Sequence, residues 1–223
     1  ELRPVRDLLR KRTFLVRQRT ANILSIQNLV TRNTGGTISA DGVEQLTAET
    51  STALGLPADV VLALNASLAL TKCATEQIKA LEKIARARMR LTDNFQNLTT
   101  VDGIGTILGL TIMLETGSIE RFHSVGNYAS YARCVGGARV SNGKKKAKVN
   151  TKNGNAYLSW AFSEAATHCV RYNTSAARFC QRKLSKCHLM VARRALAHKL
   201  ARACYYILRD GVPFDSDKTF GGK

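Results

Sequence analysis

Ser141 stands in a stretch unlike the rest of the chain. Arg139-Val140-Ser141-Asn142-Gly143-Lys144-Lys145-Lys146-Ala147-Lys148 runs on to Thr151-Lys152-Asn153-Gly154-Asn155. Asn-Gly is a strong turn signal, so the Ser141 hydroxyl is expected at a loop tip. Arg139, Lys144, Lys145, Lys146, Lys148 and Lys152 surround it with cations. Such cations hold a phosphodiester and favour negative charge developing on it. A serine nucleophile also needs a group to take its proton, and no histidine or carboxylate lies nearby in sequence. On local chemistry alone the stretch reads as a lysine-rich phosphate clamp with an incidental serine.

A second motif is Leu98-Thr99-Thr100-Val101-Asp102-Gly103-Ile104-Gly105-Thr106-Ile107-Leu108, which resembles a helix–hairpin–helix element. Gly103 and Gly105 allow a tight turn, and Ile104 anchors it in the core. Backbone N–H groups opening the next helix can then hold a phosphate without reading base sequence. The plainer reading is an ordinary turn between helices. A third motif opens at Asn155 and runs through Tyr157, Leu158, Trp160 and Phe162 to Glu164. The aromatic stripe reads as core, with base stacking as the alternative. Glu164 is the only carboxylate between Arg121 and Arg209, either an ion-pair partner or a catalytic helper.

These motifs need elements to carry them. The chain has 223 residues, enough for a substantial core, and only 3 prolines, which leaves long helices uninterrupted. The net charge of +18 is unevenly placed. Residues 1–120 hold 14 Lys+Arg and 12 Asp+Glu, whereas residues 121–223 hold 20 and 4. A half this one-sided points to a polyanionic partner. Apolar residues recur at helical spacing from Val5 to Val30 and from Val61 to Met89. Thr34-Gly35-Gly36 and Gly55-Leu56-Pro57 mark breaks, and Ser39 is expected to cap a short helix. The two long helices predict an antiparallel, coiled-coil-like arm. Further helices are expected at 124–134, 154–172, 175–187 and 189–210, and strand signals are weak throughout.

The expected fold is therefore all-α. Residues 1–92 would form the arm, 93–215 a compact helical domain, and 216–223 a frayed tail. The six cysteines lack metal-ligand spacing and read as buried free thiols, and no metal site is expected. No unbroken run of 18 apolar residues is present, so no membrane partner is expected. The chain opens mid-pattern without Met, which reads as a piece of something longer.

Taken together, the motifs resemble the C-terminal transposase domain of the Piv-like insertion-sequence recombinases, the group guided by a bridge RNA. Val101–Gly105, Ile119–Phe122, Ser141–Lys145, Lys152–Ala161, Ala195–Ala203 and Pro213-Phe214 carry the resemblance, in that order. The N-terminal helices resemble the last helix of that family's nuclease domain followed by its coiled-coil insertion. The resemblance implies a serine that attacks DNA and forms a phosphoserine link, and only Ser141 matches it. It also implies a RuvC-like domain whose acidic quartet binds Mg2+. That quartet is absent from this sequence, so the missing base and metal are expected from elsewhere and the chain alone is expected to be inactive. DNA, guide RNA and further copies of the chain, as a dimer or tetramer, are the implied partners. The implied location is the bacterial cytoplasm, at the nucleoid.

Overall fold

A computed structural model of the chain describes residues 3–89, 92–135, 139–142, 144–146 and 153–221. Its contacts separate two units, Asp7–Ala85 and a second made of Arg86–Lys223 with Glu1–Arg6. The fold is all-α, with eleven helices among the described residues.

The Asp7–Ala85 unit is built on two long helices, α1 (Arg3–Thr34) and α4 (Ala58–Met89), joined by α2 (Ala40–Gln45) and α3 (Ala48–Thr52). The Ser39 side chain accepts from Gly42 N–H at 3.0 Å and caps α2 as expected. The Pro57 carbonyl accepts from the Val60 and Val61 N–H groups at the start of α4. Ile23, Ile26 and Val30 of α1 bury against Val43, Leu46, Leu64 and Leu68. At the other end Arg12 meets Glu82 at 2.8 Å. Early α1 thus faces late α4, so the helices run antiparallel. Leu64 is fully buried, and Leu64→Lys would leave an ammonium without a counter-charge in this core. A loss of several kcal/mol, read as an early first transition in urea, is the expected result. An unchanged midpoint would mean this core is not packed.

Helix α4 carries a second apolar line. Leu64, Leu68, Ala74, Ile78 and Ala85 are buried, whereas Leu62, Leu70 and Ile84 are exposed. By length and composition α4 is apolar enough to cross a membrane, since an 18-residue window within Ala58–Arg88 has a mean hydropathy of 1.2. Asn65, Ser67, Thr71 and Lys72 interrupt the apolar residues of the helix, so it holds no unbroken run of 18. A soluble helix with two apolar faces meets the same test.

The larger unit contains α5 (Asp93–Thr99), α6 (Thr106–Thr116), a 3-10 turn (Ile119–Arg121), α7 (Val125–Tyr131), α8 (Ala156–Tyr172), α9 (Thr174–Leu184), α10 (Leu189–Asp210) and α11 (Ser216–Phe220). Helix α8 packs against α6, α9 and α10. Ala161, Ala165, Ala166, Ala197 and Ala201 are all fully buried, so α8 and α10 meet through small side chains. Leu158, Phe162, Leu196 and Leu200 fill the space between. Tyr128 is buried among Phe122, Phe162 and Tyr205, with ring centroids 5.2–6.2 Å away. Its hydroxyl is satisfied by Thr116 at 3.0 Å.

Two features correct the sequence reading. A short ribbon, β1 (Arg139–Ser141) with β2 (Lys144–Lys146), stands where only a loop was expected. Lysine and arginine carry little strand preference, so the pairing comes from the two-residue turn. The segment expected to fray contains α11, whose Phe220 is buried with its ring 6.3 Å from that of Phe179. One large aromatic at the end of a polar stretch suffices to pin it.

Candidate nucleic-acid interface

The α5–α6 connection is a tight turn held from below. Leu98, Val101 and Ile104 are buried, and Ile104 N–H donates to the Val101 carbonyl at 2.9 Å. Gly103 has φ +90°, and a Cβ there would lie 2.5 Å from Cys169 N and 2.7 Å from the Ala165 oxygen. Only glycine lets the turn lie this close to the α8 backbone. Gly105 is different. It precedes α6 with ordinary extended angles, and a Cβ there would meet nothing within 4 Å. No side chain caps α6, so the first N–H groups of the helix, on residues that line a groove, have no side-chain partner. The groove, of about 670 Å³, is lined by Arg86, Thr106, Ile107, His168 and Tyr172 among others. Asp102 is the one carboxylate on its wall, and Asn173 Nδ2 donates to it at 2.8 Å. Asn173 also caps α9 through its own oxygen, which ties the turn to the α8–α9 junction.

Gly154 and Asn155, which follow the serine stretch in sequence, are held in place. Asn155 N–H donates to the Tyr131 carbonyl at 2.6 Å, and Arg133 Nη2 donates to the Gly154 carbonyl at 2.9 Å. Gly154 has φ +89°, with the Tyr131 carbonyl 2.5 Å from where a Cβ would sit. The Asn155 side chain caps α8, accepting from Tyr157 and Leu158 N–H at 2.9 and 3.1 Å. Its Nδ2 donates to Glu115 Oε2 at 2.7 Å. Glu115 is buried at the end of α6, and the sequence reading did not single it out. The signal was available: it is the only charged residue in the apolar helix Thr106–Thr116. The β1–β2 ribbon pairs Ser141 with Lys144, Val140 with Lys145 and Arg139 with Lys146. Asn142 takes the left-handed conformation that a two-residue turn requires, with φ 52°. Lys148 and Lys152 lie outside the described residues.

Helix α8 opens at the Asn155 cap and the glycine turn contacts Ala165–Cys169, so about 15 Å of helix separates cap and turn at 1.5 Å per residue. Leu158 and Phe162 are core, as read, while Tyr157 and Trp160 are half-buried. Glu164 is half-buried and makes no ion pair among the described residues. Burial pushes the Cys134 thiol up to about 11 and the Cys169 thiol to about 12, which keeps both protonated near neutrality. Among the described residues no group of three or more His, Cys, Asp or Glu is placed to hold a metal ion. The described side chains thus offer no Mg2+ site, which the sequence resemblance assigns to the RuvC-like domain.

The frame is a helical domain with an α6 start that no side chain caps and a serine-bearing ribbon in the segment before α8. Residues 95–181 match a family model described as the Transposase IS116/IS110/IS902 family. The matched segment begins in α5, ends in α9, and includes the glycine turn, the ribbon and α8. It supports an IS110-like transposase, and with it a transposase or recombinase function. No curated protein matches the chain.

Proposed function

We propose that this chain is the serine-bearing, DNA-handling part of a transposase that cuts and rejoins DNA through a phosphoserine intermediate. The observation that carries the reading is the position of Ser141. It ends β1 beside a two-residue turn, paired with Lys144, inside the segment that matches the transposase model. In the reaction the serine oxygen bonds to phosphorus while the bond from phosphorus to a deoxyribose oxygen breaks. The serine proton leaves to an acceptor, and the departing oxygen takes up a proton. One phosphoester replaces another, so rejoining needs no outside energy source. Arg139 and Lys144–Lys146 supply positive charge where the phosphorane's negative charge develops. The proton acceptor, Mg2+ and the guide RNA of the sequence resemblance are taken to come from other parts of the assembly, in the bacterial cytoplasm.

The glycine turn supplies a second role. Gly103 fixes a helix–hairpin–helix-type turn, and Gly105 leaves the α6 N–H groups open to a DNA phosphate. This geometry also supports a second reading, a non-catalytic nucleic-acid-binding module. Both readings require backbone binding. With about six phosphates engaged, log K should fall against log[salt] with a slope of about −5 on duplex DNA. A fluorescence anisotropy titration over several salt concentrations measures it, and a slope near zero would remove both readings.

The outer line of α4 fits the third partner, a second copy of the chain. Leu62, Ala66, Leu70, Cys73, Ala80 and Ile84 follow each other at spacings suited to a helix–helix seam, and the small members permit close approach. Leu70 is 59% exposed, so Leu70→Lys should leave stability unchanged while lowering the mass measured by light scattering. An unchanged mass at high protein concentration would show that the seam is not an interface.

A further inference from the structure

We propose that Arg182, Lys183, Lys186 and Lys199, where α9 and α10 meet α11, form a second binding site for the phosphates of a nucleic-acid backbone. It is separate from both the glycine turn and the serine ribbon. The proposal rests on the nucleic-acid reading above and adds a location to it.

A small cavity of about 320 Å³ lies at this junction, lined by Phe179, Arg182, Lys183, Lys186, Lys199 and Phe220. Four of the six lining residues are cations and none is a carboxylate. None of the four makes an ion pair among the described residues. Asp210, Asp215 and Asp217 share a neighbouring cleft with Lys199 but pair with none of the four cations: Asp215 meets Lys218 at 3.7 Å and Asp210 meets Arg209 at 2.6 Å. Asp217 lines the adjoining cleft with Arg178 and Arg182.

The cluster is held in place. Lys199 Nζ donates to the Thr219 carbonyl at 2.7 Å and lies 5.2 and 5.7 Å from the ring centres of Phe179 and Phe220. Lys183 Nζ sits 5.9 Å from the Phe179 ring. These rings hold the ammonium groups by cation–π attraction. Burial first, then the charges of Arg202, Arg182 and Lys183, push the Lys199 ammonium below its ordinary value. The protein therefore concentrates like charge here, and a bound anion relieves the repulsion.

The occupant is a backbone read by charge alone. Phe220 is buried and its ring packs among neighbours, so it offers no face on which a base can stack. The cations also continue along the same helices, with Arg178 one turn before Arg182 on α9 and Arg202 one turn after Lys199 on α10. A long polyanion matches a continuous line of this kind better than a short acidic peptide does.

The test compares two double variants that lose the same net charge. Arg182→Gln/Lys186→Gln alters two exposed members of the cluster, and Lys72→Gln/Lys79→Gln alters two exposed lysines of α4. Each is titrated with a mixed-sequence DNA duplex at several salt concentrations, after circular dichroism shows unchanged helix content. The cluster variant should lose about 2 from the magnitude of the salt slope, at roughly 0.9 per phosphate contact, and the α4 variant should match wild type. Equal slopes in wild type and both variants, with wild type steep, would overturn this site alone. A wild-type slope near zero would overturn the nucleic-acid reading and this site with it. An oligoglutamate that binds wild type but not the cluster variant, while the duplex slope stays the same, would assign the surface to an acidic protein and overturn the proposal.

Discussion

Gly105→Asp should make the protein slightly more stable and bind DNA less well, whereas Gly103→Ala should unfold the larger unit early. The two glycines lie two residues apart and answer to different physics. At Gly103 any side chain meets two obstacles. The backbone has φ +90°, which L residues rarely adopt, and the Cβ would press into the α8 backbone at 2.5 Å. Neither neighbour is the movable end of a side chain. Strain and overpacking together should cost about 3 kcal/mol, and so lower the thermal midpoint by about 10 °C for a domain of this size. At Gly105 the angles suit any residue and the space is open. Aspartate at that position can cap α6, where no side-chain cap exists now, for a gain of a few tenths of a kcal/mol. The same carboxylate occupies the N–H groups offered to a phosphate and repels it. Differential scanning fluorimetry and duplex titration should therefore move in opposite senses for Gly105→Asp. Undiminished DNA affinity in this variant would reduce the turn to a structural connection.

The long helices were legible because their signals are local. Thr34-Gly35-Gly36 stops α1, Ser39 caps α2, and Pro57 starts α4, each by a rule that acts over a few residues. The glycine turn was legible for the same reason. The β1–β2 ribbon was not, because its strands are three residues each and consist mostly of cations; only Asn142-Gly143 marked it, and that signal was read as a turn without strands. The Glu115–Asn155 bond joins residues forty positions apart, and nothing in either neighbourhood names the other. The same holds for Phe220 on Phe179 and for the cations gathered around them. Charge content was visible in composition, but its concentration at one junction depends on how α9, α10 and α11 pack. The second apolar line of α4 was present in the sequence, yet only the burial of the first line shows that the other is left exposed.

Ser141→Ala should abolish covalent attachment to DNA while leaving folding and affinity near wild type. The substitution removes one oxygen from a residue beside the ribbon turn and no backbone hydrogen bond, so the Ser141–Lys144 pairing can persist. The lost oxygen is the only atom that can form the phosphoserine bond at this position. An ordinary phosphate clamp would show the opposite pattern, with no covalent chemistry to lose and affinity set by the cations. Neutralising Lys144 and Lys145 should accordingly weaken binding and flatten the salt slope by about 2. By itself the 223-residue chain is expected to give no adduct, because an unassisted serine hydroxyl is a weak nucleophile. The informative reaction joins labelled DNA with the transposase assembly, guide RNA and Mg2+, and resolves the products on a denaturing gel. Wild type should yield a protein-linked band that disappears in Ser141→Ala, a change of at least about a thousandfold if the serine is the attacking group. An adduct of equal yield in both proteins would place the nucleophile elsewhere and leave Ser141 as a passive neighbour of the lysines that grip the phosphate.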